Sequence, residues 1–281
     1  MKKFMVRILC CFVPSRNARH KIRETLLPHP ENTITGKIEI NDLMYRMFVF
    51  MNRNIEKKIS TAVLHQNTFA RFKAIHSGQD IVIVATGPSL KKFKPIKNAI
   101  YIGVNSAFKY KKIKFDYLFA QDYLGCKDYI DEMDEYTGHH CVKFYGLTTE
   151  FDDEWKRVIP ESYAIKANAL RYRTDWEDVN GPFECKFAYD ISTMSLGCFG
   201  SIVFPAIQFA LWTNPKRIYL VGCDCSNFGH FDETASEDLR RLIDPWKKLK
   251  SFAKTYYPET EIISINPVGL RGMFKDLDQK E

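Results

Sequence analysis

The sequence predicts an α/β fold: an open, mostly parallel sheet flanked by helices, with a helical appendage at the N-terminus. Three observations lead there. Short, unbroken apolar runs recur along residues 79–281, and strands buried on both faces of a parallel sheet read this way. Helical or irregular stretches separate those runs, as crossover connections require. Successive runs stop at polar residues, which puts polar side chains along one edge of the sheet.

The elements follow in chain order. Residues 1–37 form a basic, partly apolar segment and a linker. Phe4 to Val13 is apolar but contains Arg7, and Pro14 breaks it. Ser15 to Arg23 reads as a cationic helix. Residues 26–37 hold two prolines, Asn32 and Gly36, the composition of a linker. Residues 38–78 are helical. Ile40, Met44, Met47, Met51, Ile55, Ile59, Ala62 and Phe69 recur at three- and four-residue steps up to about Ile75. Packing on the main domain is the expectation for this stripe, with pairing to a second copy of the chain or contact with a membrane as alternatives. Residues 79–281 carry the sheet and the catalytic machinery.

The central strand is Ile81 to Ala85, followed by Thr86-Gly87-Pro88-Ser89-Leu90. Gly87 permits backbone angles closed to other residues, Pro88 fixes a turn, and Ser89 can cap a short helix. A strand, a glycine turn and a helix start in that order suit a phosphate. The same letters also make an ordinary turn, and they match neither GxGxxG nor GxxxxGK[ST]. A second strand, Ala99 to Val104, ends at Asn105, and a third, Phe115 to Ala120, ends at Gln121-Asp122. Cys141 to Tyr145 is a fourth candidate, preceded by His139-His140, which point apart on extended chain and make a poor metal pair. Residues 146–190 are irregular, rich in Asp, Glu, Arg, Trp and Tyr, and suit a flap or small subdomain. A small-residue turn from Ser195 to Ser201 opens an apolar helix over Ile202–Leu211. Arg217 to Gly222 is another inner strand, ending at Cys223-Asp224, and a loop from Cys225 to Ala235 follows. A helix from about Glu237 to Tyr256 and a last strand, Glu261 to Ile265, complete the pattern.

The chain has 281 residues and a net charge of +7, with seven Lys or Arg in its first 25 residues. An apolar plug beside a cationic helix suits an anionic membrane surface; a solvated or docked tail is the alternative. The basic residues lack a nucleic-acid-binding pattern, so no nucleic acid partner is expected. The eight cysteines show no CxxC or metal-ligand spacing and read as reduced thiols. No run approaches the roughly 20 apolar residues of a membrane span, and no signal peptide is read. The expected location is cytoplasmic, peripheral on the inner face of the cell membrane.

The ordered set Ile83-Val84-Ala85-Thr86-Gly87-Pro88-Ser89-Leu90, Asn105, the Ser/Gly turn with its apolar helix, and Ile218-Tyr219-Leu220-Val221-Gly222-Cys223-Asp224 resembles glycosyltransferase family 42, the bacterial sialyltransferases. The related Maf-like proteins of flagellin glycosylation share the Gly-Pro-Ser-Leu and strand-Gly-x-Asp elements, and that wider group includes a pterin diphosphokinase. The resemblance spans about residues 79 to 270. It implies a Rossmann-like nucleotide-sugar-binding domain, a CMP-activated nonulosonic acid such as sialic acid as donor, a glycan or glycolipid acceptor, and inverting transfer with no obligatory metal and no cofactor. By position it implies donor contacts from Thr86, Gly87, Asn105 and Gln121, and from Ser201 or Ser195; Pro88, Ser89, Asp122 and Asp224, beside them at the strand ends, are further donor-binding candidates. It implies that His230 is the base. The chain departs from the family at Thr86, where the family has Asn. It also lacks the family's tyrosine pair for the leaving phosphate; Phe228 and Phe231 stand in that neighbourhood.

On this reading His230 accepts the acceptor hydroxyl's proton, as imidazole chemistry suits. The phosphate leaves onto the Thr86–Ser89 turn, aided by Ser226 or Asn227. Two alternatives stand beside it. One is a metal-dependent phosphotransferase of the pterin diphosphokinase kind, with Asp122 and Asp224 as ligands. The other is a non-catalytic nucleotide-binding protein of surface-polysaccharide assembly.

Overall fold

The computed structural model describes residues 2–13, 15–26, 36–138, 140–147, 157–175, 185–232 and 238–279. Most of the expected linker, His139, residues 148–156 and 176–184 of the expected flap, and the end of the loop at Ala235 lie outside the described residues. The chain divides into two compact units, residues 1–60 with 177–185, and residues 61–176 with 186–281.

In the first unit the helices Lys2–Cys11 and Arg16–Leu26 pack on each other. Val6 and Cys10 are buried, while Phe4, Met5, Ile8 and Phe12 are exposed. The helix Gly36–Phe69 starts in this unit. Its Met44, Met47, Met51, Ile55 and Ile59 are exposed, whereas Phe69 of the same stripe is fully buried in the second unit. No helix among the described residues is long and apolar enough to cross a membrane.

In the second unit the same helix buries Thr61, His65, Thr68 and Phe69 instead, and Phe72 follows in a 3-10 turn. Two of these polar residues are held by hydrogen bonds. Thr68 Oγ1 donates to Arg171 O at 2.7 Å. His65 Nδ1 lies 2.9 Å from Ile191 O, and Nε2 accepts from Arg173 N–H at 2.8 Å. A neutral ring with the proton on Nδ1 satisfies both bonds.

The sheet of this unit comprises β1 (Asp80–Val84), β2 (Ile100–Val104), β3 (Tyr117–Ala120), β4 (Val142–Leu147), β5 (Leu170–Asp175), β6 (Leu196–Gly197), β7 (Arg217–Val221), β8 (Glu261–Ile265) and β9 (Lys275–Leu277). Their order is β6-β5-β4-β3-β2-β1-β7-β8-β9, and every pairing is parallel. The predicted fold class is therefore the observed one, with β5, β6 and β9 added. Ile83 of β1 lies opposite Ile102 on one side and Leu220 on the other. A bidentate pair from Arg217 to Asp80, at 2.7 and 2.8 Å, ties the starts of β1 and β7.

Side-chain alternation divides the core into two layers. Val82, Val84, Leu118 and Ala120 join Phe93, Phe108 and Phe115 on one face. On the other, Tyr117 and Phe119 pack on Phe209 with ring centroids 5.0 and 5.5 Å apart. Phe209 belongs to the helix Val203–Trp212, all ten residues of which are buried. Its one polar residue, Gln208, accepts from the amides of Ala188 and Gly197 and donates to Gly197 O and Phe204 O. A buried amide with all its capacity used costs little and fixes the chain that leads into Gly200 and Ser201.

Burial lowers the His65 pKa from 6.5 to about 4, and burial lowers that of His76 in the same direction. The unfolded chain thus takes up protons below pH 6.5 that the folded chain refuses until about pH 4, so stability falls as the pH is lowered through that window. The loss from His65 alone amounts to about 3 kcal/mol. Urea midpoints between pH 7 and 4 check this: the wild-type midpoint falls, and His65→Leu, less stable at pH 7, shows a flatter pH dependence.

Candidate active site

Sheet topology sets the site. The chain leaves β1 toward β2 through β6, then returns to place β7 on the other side of β1. Loops after β1 and β7 diverge there, and a cleft at the carboxyl ends of the strands is the result. A cavity of about 380 Å³ occupies it, within the range of small-molecule sites.

Residues from five parts of the chain line this cavity. Thr86 and Gly87 follow β1, Asn105 follows β2, Gln121 and Asp122 follow β3, and Asp224, Ser226 and His230 follow β7. Ser201 comes in just before the helix Val203–Trp212. Pro88, Ser89, Ser195 and Asn227 do not line the cavity, and Asn227 is exposed. Leu239, Leu242 and Trp246, which the sequence reading did not single out, do line it. They come from a 3-10 turn, Leu239–Leu242, and from the helix Ile243–Tyr256, two pieces where one helix from Glu237 was expected.

The Gly-Pro-Ser and Gly-x-Asp motifs, far apart in sequence, prove to be halves of one lock. Gly87 N–H donates to Gly222 O at 2.8 Å, and Ala85 N–H donates to Val221 O at 2.8 Å. A Cβ on Gly87 would lie 2.5 Å from Gly222 O and 2.6 Å from Asp224 Cγ. Gly222 has φ +66°, and a Cβ there would lie 2.5 Å from Ala85 O. Asp224 closes the lock: Ser89 N–H donates to its Oδ2 at 2.9 Å, and Ser89 Oγ donates to its Oδ1. Ser89 is therefore a donor to Asp224. It does not cap the 3-10 helix Pro88–Lys92, whose N-cap is Gly87. The amides of Gly87 and Ser89, expected to face a phosphate, are both taken. Burial pushes the Asp224 carboxyl up, and its two bonds from Ser89 pull the other way.

His230 is braced against the same turn. Its Nδ1 lies 2.8 Å from Thr86 Oγ1, and Phe231 N–H donates to Thr86 O at 2.7 Å. Phe231 packs edge-on against Tyr110 with centroids 6.2 Å apart. Phe228 is exposed, and no tyrosine lines the cavity among the described residues. Asn105 opens a 3-10 turn at φ +50°, a backbone region that Asn tolerates better than most residues. Gln121 is buried at the end of β3 and leaves its Oε1 without a partner.

The charges are unevenly placed. Asp122 Oδ1 accepts from Gly125 N–H at 2.7 Å and caps the short helix Tyr123–Cys126, and Oδ2 lies 3.9 Å from Arg157 Nη1. Both lining carboxylates thus have structural partners, and the described residues contain no group of three metal-ligating side chains. The positive pole lies elsewhere. The ten-residue helix Val203–Trp212 has Ile202 as its N-cap with no side-chain cap, and its first turn lines the cavity. In its first turn Phe204 N–H donates to Ser201 O at 3.2 Å and Pro205 has no N–H, so this start offers few amides, although the helix dipole puts a partial positive charge there. Arg241 Nη2 lies 3.5 Å from Gly200 O beside it. Arg241 is exposed and does not itself line the cavity.

Comparison with solved structures finds similarity to the sialyltransferase CstII from Campylobacter jejuni. In complex with the substrate analogue CMP-3FNeuAc it aligns at 13% identity and TM-score 0.37, over 71% of this chain and 85% of that one. In complex with cytidine-5'-monophosphate it aligns at 15% identity and TM-score 0.36, over 67% of this chain and 80% of that one. No protein-family model matches the chain, and neither does any curated protein.

The lock makes Gly87 a sensitive position. Gly87→Ala is expected to lower stability by about 1–3 kcal/mol, the range for overpacking a site with no room. Urea denaturation measures it, and an unchanged midpoint would mean that the turn can move away from Gly222 and Asp224.

Proposed function

We propose that this chain is an inverting glycosyltransferase that moves a sugar, a nonulosonic acid such as sialic acid, from a CMP-activated donor to a glycan or glycolipid acceptor. One observation carries the reading: His230, Thr86, Gly87, Asn105, Gln121 and Ser201, spread over 145 residues of sequence, line one cavity at the topological switch point. These positions correspond to the donor-contacting and catalytic positions of the sialyltransferase family, with Thr86 standing where the family has Asn.

In the proposed reaction an acceptor hydroxyl oxygen attacks the anomeric carbon of the donor. The bond from that carbon to the phosphate oxygen breaks, and its electron pair leaves with CMP. The hydroxyl proton goes to His230 Nε2, the ring nitrogen that Thr86 does not engage. The donor's anionic groups face Ser201 and the positive end of the helix Val203–Trp212, because the Gly87 and Ser89 amides of the Thr86–Ser89 turn are occupied. Asn105 and Gln121 supply amides for the nucleoside.

The N-terminal helices fit an enzyme that works at a cytoplasmic membrane face on a lipid-linked acceptor. Phe4 and Phe12 are 67% and 82% exposed, and Arg16, Lys21 and Arg23 are exposed on the adjoining helix. Exposed aromatics beside cations favour an anionic lipid surface.

Three measurements test these statements. In a thermal-shift panel of CMP, CDP, UDP, GDP and ATP, CMP is expected to raise the Tm most, since a ligand of the native state stabilises it by mass action. With CMP-sialic acid as donor, His230→Gln is expected to lose roughly 100- to 10,000-fold in turnover, the worth of a general base, with its CMP shift intact. Full turnover in that variant would remove His230 from the mechanism. Deleting residues 1–25 is expected to abolish flotation with anionic vesicles; unchanged flotation would refute the membrane contact.

A further inference from the structure

The geometry points to Thr86 as the residue that fixes the tautomer of His230: its hydroxyl oxygen accepts the Nδ1 proton, so that Nε2 presents a lone pair to the cavity. This rests on the proposed role of His230 as the base.

Two contacts hold the arrangement. Thr86 Oγ1 lies 2.8 Å from Nδ1, and Thr86 O receives the amide of Phe231, the next residue, at 2.7 Å. The side chain and the backbone of one residue therefore fix both the ring and the chain that carries it. Thr86 itself is nearly fully buried and cannot drift, because the residue before it is paired to β7 and the residue after it is locked on Gly222. Neutral histidine carries its proton on one nitrogen, and a hydroxyl partner can accept from a protonated ring nitrogen or donate to a bare one. A base that takes a proton at Nε2 must start with Nε2 bare and Nδ1 protonated. A hydroxyl oxygen at Nδ1 accepts that proton in the neutral ring and keeps it in the imidazolium formed on proton transfer. The hydroxyl's own hydrogen stays free to turn away, so the pairing serves both protonation states without rearrangement.

Thr86 also stands where the resembling family has an Asn that contacts the donor. The two roles make different predictions. Substituting a side chain that binds the donor raises KM for the donor, whereas substituting one that only positions the base lowers kcat. Thr86→Val keeps the shape of the side chain and removes the hydroxyl, and Thr86→Ser keeps the hydroxyl.

The experiment is ring-nitrogen NMR on protein labelled with 15N-histidine, at a pH where the ring is neutral, with the His230 signals assigned by their disappearance in His230→Gln among the seven histidines. Wild type and Thr86→Ser are expected to show a protonated Nδ1 and a bare Nε2, and Thr86→Val to lose that state. With CMP-sialic acid, Thr86→Val is expected to lower kcat about 10-fold, less than the worth of the base itself, with donor KM little changed, and Thr86→Ser to restore it. A wild-type ring protonated at Nε2, or a Thr86→Val enzyme with the wild-type tautomer and kcat, overturns the assignment. A tautomer that follows the hydroxyl in a protein with no turnover on any CMP-sugar upholds the Thr86–His230 pair and overturns the transferase reading instead.

Discussion

The close approach of two backbone turns, one after β1 and one after β7, is the constraint on which the site depends. Gly87 and Gly222 meet with an N–H to O distance of 2.8 Å, and neither position has room for a side chain. Parallel strands that diverge at a switch point would otherwise splay their loops. Here the loops are drawn together, and Asp224 is buried against Ser89 as the closing piece. An aspartate with both oxygens satisfied can be buried at modest cost; with Ser89 removed it would be a carboxylate in a cavity wall without its donors. The Gly-Pro-Ser-Leu and Gly-x-Asp motifs are thus read most economically as architecture. They make the edge on which chemistry stands, and Leu90, fully buried, ties that edge into the core.

Function is then placed by what hangs on the lock. Thr86 precedes Gly87 and cannot move independently of it, and the loop that carries His230 is sewn to Thr86 by a backbone bond and a side-chain bond. A histidine on an otherwise open loop gains the precision of the sheet without standing on it. The role of general base proposed for His230 requires this kind of order, since a group that is misplaced by about an ångström loses much of its effect.

The sequence made the sheet legible where burial is two-sided. β1, β2, β3, β4, β7 and β8 are apolar runs, and their ends fall within about two residues of the expected ones. β5 was unreadable because Arg171, Arg173 and Asp175 alternate with Tyr172 and Thr174, and a charged strand is recognisable only when Arg171 finds Ile159 O. β9 is three residues at the sheet edge. The Met-rich stripe was only partly legible for a different reason: the buried face of that helix carries His65 and Thr68, whose partners lie on strands about 100 residues away. In the site, Asn105 and Gln121 were visible as polar stops after apolar runs. The pairing of Ser89 with Asp224, and of Thr86 with His230, was not, because each joins residues more than 130 apart.

The distribution of charge separates two helix starts that the sequence alone could not rank. The turn at Gly87 opens a 3-10 helix that receives a carboxylate from within the chain, at Ser89 N–H. The apolar helix at Val203 has no side-chain cap and carries the longer run of aligned peptide dipoles. A phosphate placed at the first would meet Asp224 and amides already bonded; at the second it would meet the Ser201 hydroxyl and a helix start with no carboxylate on it, whose Phe204 amide is bonded to Ser201 O. The first start is thus the less favourable of the two for an anion, because a carboxylate and two bonded amides already occupy it.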